Sequence, residues 1–142
     1  MSTFVRNLVL VHGLWDAPFV FNGLVSYLDE RNICIFSPCL PHEGGRTSLK
    51  QLAFDLDRLI LEHFGEDTSI DLLGFSMGGV ISRVWLQQLG GALRTKCFIS
   101  VGAPHCGTFT AQFVPSWMRA GIADMKRGSF LLTDLIRDSH LL

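Results

Sequence analysis

The stretch Gly74-Phe75-Ser76-Met77-Gly78-Gly79 combines the residue types and the spacing that nucleophilic chemistry needs. A serine hydroxyl attacks a carbonyl well only when it stands clear of its surroundings and fixed dipoles stabilise the oxyanion that forms. A sharp turn from a strand into a helix supplies both conditions. It lifts the hydroxyl to the tip of the turn and sets it at a helix N-terminus, where partial positive charge favours a developing anion. The same turn strains the serine backbone, and side chains two positions to either side would collide with it. Glycine at 74 and at 78 removes those collisions. Ser76 is therefore read as a catalytic nucleophile, with Gly74 and Gly78 as the glycines its turn requires. A chance match in a loop would lack the apolar run 70–73 before the motif and the helical stretch to residue 89 after it.

A second stretch, His12-Gly13-Leu14-Trp15, follows the apolar run 8–11 directly. His12 has the chemistry of a base, yet its place beside Gly13 at a strand end fits loop architecture better. Two histidines follow Ser76, His105 and His140, and Asp124, Asp134 and Asp138 precede the latter.

The elements that must position these residues follow from the hydrophobic pattern. Four short runs, 8–11, 33–36, 70–73 and 97–101, are apolar without alternation and closed by Gly, Pro or Ser, as strands buried on both faces are. Helical segments lie between them. Residues 16–31 open with Asp16 as a capping side chain and with Pro18, a residue tolerated early in a helix. Residues 48–64 show the clearest period. Leu49, Leu52, Ala53, Leu56, Leu59, Ile60 and Phe64 share one face, Lys50, Asp55, Asp57, Arg58 and Glu62 face away, and Gly65 ends the helix. The helix 76–89 stops at Gly90-Gly91, residues 102–125 read as loop, and 129–137 as a last amphipathic helix. Strand alternating with helix predicts an α/β fold with a parallel sheet and right-handed crossovers.

Composition bounds the reading. The 142 residues suit one domain, 48% of them are hydrophobic, and the net charge of −1 leaves no basic excess for phosphates, so nucleic acid is not expected as a partner. The first apolar run is too short for a signal-peptide core or a transmembrane segment, which points to a cytoplasmic protein. Four cysteines lack paired metal spacing. Cys34 and Cys97 lie in apolar runs, where thiols are expected reduced and buried.

Taken together, Leu8-Val9-Leu10-Val11-His12-Gly13-Leu14, Pro38-Cys39-Leu40-Pro41-His42, the Ser76 stretch and Gly102-Ala103-Pro104-His105-Cys106-Gly107-Thr108 follow one another as a recognisable series. Over residues 7–137 the chain resembles bacterial triacylglycerol lipases and related esterases of the α/β-hydrolase superfamily. The resemblance implies an α/β-hydrolase fold whose sheet runs in the order fourth, third, fifth, sixth strand of the family, without its leading hairpin. It implies hydrolysis of a small-molecule ester or lipid, plausibly an acylglycerol, through an acyl-enzyme on Ser76, with no metal and no cofactor. The backbone amides of Leu14, in the loop with Gly13, and of Met77 would form the oxyanion hole.

In that family the acid and the base follow the serine in the order Ser, Asp or Glu, His, each beyond a later strand. His105 belongs to a loop that is not the base there. His140 meets the order formally, but no strand separates it from the preceding aspartates. The expectation is that the acid, the base and two further strands lie beyond Leu142, so that 1–142 is the N-terminal portion of one domain. Phe113, Val114, Trp117, Met118 and Ile122, within 109–125, fit either a lid or acyl-pocket wall or ordinary core. The strand 97–101 would lack its next neighbour, and this uncharged edge invites self-association. Two rival readings remain: a non-catalytic remnant that binds lipid or a partner, and an acyltransferase built on the same serine.

Overall fold

The computed structural model describes residues 5–113 and 119–141. Four parallel strands, β1 (Arg6–Val11), β2 (Ile33–Phe36), β3 (Ile70–Phe75) and β4 (Thr95–Val101), form one sheet in the order β2-β1-β3-β4. This is the α/β architecture and the strand order expected. β1, β3 and β4 outrun their apolar segments, because ladder pairing extends to Arg6 opposite Ile33 and to Phe75 opposite Val101, whereas β2 matches its run.

One sheet face is closed by α2 (Leu49–Phe64) and α3 (Met77–Gln88). Val9, Val11, Ile70 and Leu72 meet Leu49, Leu52, Leu56, Ile60, Val80, Ile81 and Val84 there in one continuous core. Ser48 caps α2, its hydroxyl accepting from Gln51 N at 3.1 Å, and Gly65 ends the helix at φ 74°. Such a cap is worth about 1 kcal/mol. Asp57 departs from its expected outward position: its carboxylate accepts from Trp85 Nε1 at 2.8 Å, so this side of α2 meets α3 rather than water.

After β1 comes α1 (Asn22–Leu28), which is shorter than the expected 16–31 and buries none of its residues. A 3-10 turn, Pro18–Phe21, precedes it, and Asp16 caps neither, since the residue before the turn is Ala17. On the second sheet face Leu10 is buried, but Ile99, in register with it through Leu73, and Val101 of β4 remain 50% and 46% exposed. Cys97 shares that bare face and is exposed, as are Cys39 and Cys106, while Cys34 is half-buried. The expected burial of Cys97 fails because an apolar strand at the sheet margin has only one covered face.

Beyond β4, residues expected as loop contain one short helix, α4 (Ala120–Asp124), before α5 (Phe130–Arg137), which Ser129 caps. Buried Arg83 ties α5 to α3. Its guanidinium donates to Leu135 O at 2.8 Å, and Gln87 Nε2 donates to the same carbonyl at 2.9 Å. Among the described residues no helix is long and apolar enough to cross a membrane.

Candidate active site

Ser76 sits alone between the last residue of β3 and the first of α3, at φ 54° and ψ −127°. A non-glycine residue with this backbone is strained, at a cost of about 1–3 kcal/mol that surrounding structure must offset. Two backbone bonds hold it: Ser76 N donates to Val101 O at 2.8 Å, and Gly79 N donates to Ser76 O at 3.0 Å. Its side chain caps nothing, and among the described residues it makes no hydrogen bond.

The glycines around the turn are required for a reason that differs from collision with the serine. A Cβ on Gly74 would stand 2.5 Å from Gly79 Cα, and one on Gly78 would run into the carbonyls of Val11 and His12. A Cβ on Gly79 would meet that of Ala103 at 2.5 Å. What these glycines allow is the close seating of α3 against β1, β3 and the loop after β4. Gly13 is the one that faces the serine itself, since a Cβ there would lie 2.9 Å from Ser76 Cβ.

Ser76 opens into a cavity of about 270 Å³, together with Leu14, Trp15, Met77 and the loop residues Pro104 and Thr108. Leu14 and Met77, the two residues expected to supply oxyanion donors, therefore line the same space as the hydroxyl. Neither backbone amide is claimed by a turn or loop hydrogen bond among the described residues. Trp15, Thr108, Thr110 and Met125 of this cavity were not anticipated as site residues. Thr108 and Thr110 hydroxyls bond each other at 2.9 Å, and no spacing rule marks such a pair in advance.

The histidines have other partners. His12 is 1% exposed; Leu40 N donates to its Nε2 at 2.9 Å, which leaves Nδ1–H to donate to Gly13 O at 3.0 Å. Both ring nitrogens are thus spent on fixing the loop that carries Leu14, as the structural reading of His12 expected. Burial holds its pKa below the ordinary imidazole value, the neutral ring being the form that accepts from Leu40. His42 repeats the device on the neighbouring loop, accepting from Gly44 N at 3.1 Å and donating to Asp16 O at 3.2 Å. His105 bonds Ser100 Oγ at 2.7 Å, and burial together with the charge of Arg83 lowers its pKa. His140 lies exposed in the last turn.

The aspartates are likewise engaged away from the serine. Asp124 accepts from Leu49 N at 2.9 Å, at the start of α2, and burial raises its pKa. Asp134 and Asp138 both pair with Arg137. No described histidine or carboxylate hydrogen-bonds Ser76 Oγ, and no group of three or more His, Cys, Asp or Glu among the described residues could hold a metal ion. Of the segment 109–125, read as either a lid or acyl-pocket wall or ordinary core, residues 114–118 lie outside the described residues. Phe113 is 88% exposed, whereas Ile122 is buried in α4.

Comparison with known proteins adds to this geometry. The model of a family described as the alpha/beta hydrolase family matches residues 8–141. The lysosomal thioesterase PPT2 of Mus musculus is 25% identical over 119 residues, which cover 80% of this chain and 38% of the thioesterase. Among solved structures, the mature form of the Bacillus licheniformis lipase BlEst2 superposes with a TM-score of 0.74 at 19% identity, over 95% of this chain and 60% of the lipase. Phospholipase PlaB from Legionella pneumophila gives a TM-score of 0.75 at 14% identity, over 94% of this chain and 35% of its own.

Proposed function

The chain belongs to the α/β hydrolase family, and from that premise we propose that it is a lipase-like serine esterase that hydrolyses carboxylic esters through an acyl-enzyme on Ser76. The observation that carries the reading is the strained Ser76, whose hydroxyl makes no hydrogen bond among the described residues, in a cavity it shares with Leu14 and Met77. Ser76 Oγ adds to the ester carbonyl carbon and loses its proton to a base. The carbonyl oxygen becomes an oxyanion that the Leu14 and Met77 amides bind, aided by the N-terminus of α3. Collapse expels the alcohol, and water then releases the acid. The proton acceptor and its carboxylate, in this reading, come from outside the described residues. The mixed lining of the cavity, Leu14 and Met125 beside Thr108, suits an acyl chain with a polar head. Residence in the cytoplasm belongs to the same proposal and agrees with the unpaired cysteines.

Thioester hydrolysis is the second reading, favoured by the likeness to a lysosomal thioesterase. It needs the same serine and donors, and a thiolate leaves without the proton an alkoxide requires.

A fluorophosphonate probe tests the assignment. Any labelling of the wild-type chain is expected on Ser76 and absent from Ser76→Ala; labelling that persists in Ser76→Ala refutes it. Without an assembled base, turnover of short p-nitrophenyl esters is expected to be weak, roughly 10³–10⁴ over water.

A further inference from the structure

We propose that Trp15 is the substrate-contacting wall of the Ser76 cavity, an indole on which the apolar group of the bound ester lies. The proposal rests on reading that cavity as the active site. It adds a specificity-determining residue and a substrate class: esters carrying an apolar group flat or long enough to span from Ser76 to the indole.

The backbone makes the first argument. Residues 13–16 form a turn closed by Asp16 N donating to Gly13 O at 3.3 Å, and Trp15 stands third in it at φ 58°. That position and that sign of φ are where turns select glycine, because a Cβ is strained there. For a bulky residue the conformation is a real outlier. The turn is also held from outside, by His12 on Gly13 O and His42 on Asp16 O. The chain thus puts its largest residue type where the smallest one fits best.

Packing does not offset the strain. Trp15 is 72% exposed, whereas Trp85 is fully buried and gives its Nε1–H to Asp57. Trp85 is a core tryptophan; Trp15 is largely exposed and has no hydrogen-bond partner among the described residues to justify its place. Its Nε1 edge lies beside the loop at Gly44, where a Cβ would stand 3.9 Å from it.

Location supplies the rest. Trp15 is the aromatic lining residue of the cavity of about 270 Å³ that holds Ser76, and it adjoins Leu14 in sequence. An exposed indole beside a nucleophile offers a large rigid apolar face that loses little entropy on contact. Strain kept at a site without structural return is expected where function requires the geometry. An ester whose carbonyl reaches Ser76 enters the cavity that this ring also lines.

The test uses the whole chain in the Ser76→Ala background, so that its outcome is independent of whether Ser76 is the nucleophile. Two ester-like ketones of equal carbon count, phenyl butyl ketone and butyl hexyl ketone, are titrated while the Trp15 indole and the Leu14 and Met77 amides are followed by NMR. The Trp15 Nε1–H signal is expected to shift with saturation, and Trp15→Gly to weaken binding, read at Leu14 and Met77, by about tenfold. Tighter binding of the phenyl ketone identifies stacking; equal binding identifies plain apolar contact, and both support the site. In the otherwise wild-type protein, Trp15→Gly is expected to raise the melting temperature by about 2–4 °C, because glycine relieves the strain. A fall in melting temperature would make Trp15 a packing residue and overturn the proposal. So would binding that Trp15→Gly leaves unchanged, or the absence of any Trp15 shift with either ketone. Failure of the fluorophosphonate test alone would remove Ser76 as nucleophile and leave the Trp15 contact standing.

Discussion

Gly13 and Ser76 approach so closely that a Cβ on Gly13 would stand 2.9 Å from Ser76 Cβ and 3.2 Å from Phe75 O. The loop after β1 and the turn after β3 are therefore in direct contact, and the spacing between Leu14 and the hydroxyl is set there. Gly13→Ala must push the two loops apart. The expected result is a folded protein, destabilised by about 1–3 kcal/mol, whose fluorophosphonate labelling is about a hundredfold slower. Gly23→Ala is the control: nothing lies within 4 Å of that Cβ, and both labelling rate and stability should be preserved. Equal labelling by the two variants would show that Gly13 does not set the site.

Stability should fall as pH drops below about 6.5. The folded pKa of His12 is lowered by burial, so between the folded value and the ordinary one the unfolded chain binds more protons. His105 is shifted in the same direction and adds to the slope. Urea unfolding followed from about pH 8 to about pH 5 is expected to show a declining midpoint. In His12→Gln, which keeps an acceptor for Leu40 N but no titrating ring, the decline should be shallower, retaining the share of His105. A slope identical in the two proteins would mean that His12 titrates as an open imidazole.

The outer side of β4 has no strand neighbour among the described residues, and Ile99 and Val101 add exposed apolar surface beside it. Only Lys96 places a charge within that strand. An uncharged edge of this length pairs readily with a second chain. Sedimentation velocity is expected to show concentration-dependent self-association that Ile99→Lys reduces. A monomer at every concentration tested would rule the idea out.

The parts of this fold that were legible in advance are those where a single segment carries its own instructions. Residues 70–73 end at a glycine-flanked serine, and 49–64 repeat Leu49, Leu52, Leu56 and Ile60 behind Ser48; strand, turn and capped helix follow without reference to the rest of the chain. Illegible features depend on which neighbour an element meets. Asp57 lies on the side of α2 away from Leu56, and only the position of Trp85 reveals that this side is not solvent. Cys97 sits in an apolar run like Leu72, yet β3 is flanked by two strands and β4 by one. Helix α4 spans too few residues, Ala120–Asp124, for a period to show. At the site, Ser76 and its glycines could be named from spacing. The reasons for Gly78 and Gly79 could not, because they lie in Val11, His12 and Ala103, distant in the chain.

All four strands run in the same direction, and β1, β3 and β4 finish at the level of Ser76, whose amide is bonded to the last residue of β4. Each segment that leaves a strand end therefore emerges on one common rim, while the packed layers of α2 and α3 lie below it. Diversification can act on the loops at 13–17 and 102–110 without disturbing the core those layers share. Exchange of such rim segments would leave the turn at Ser76 and the core beneath it in place.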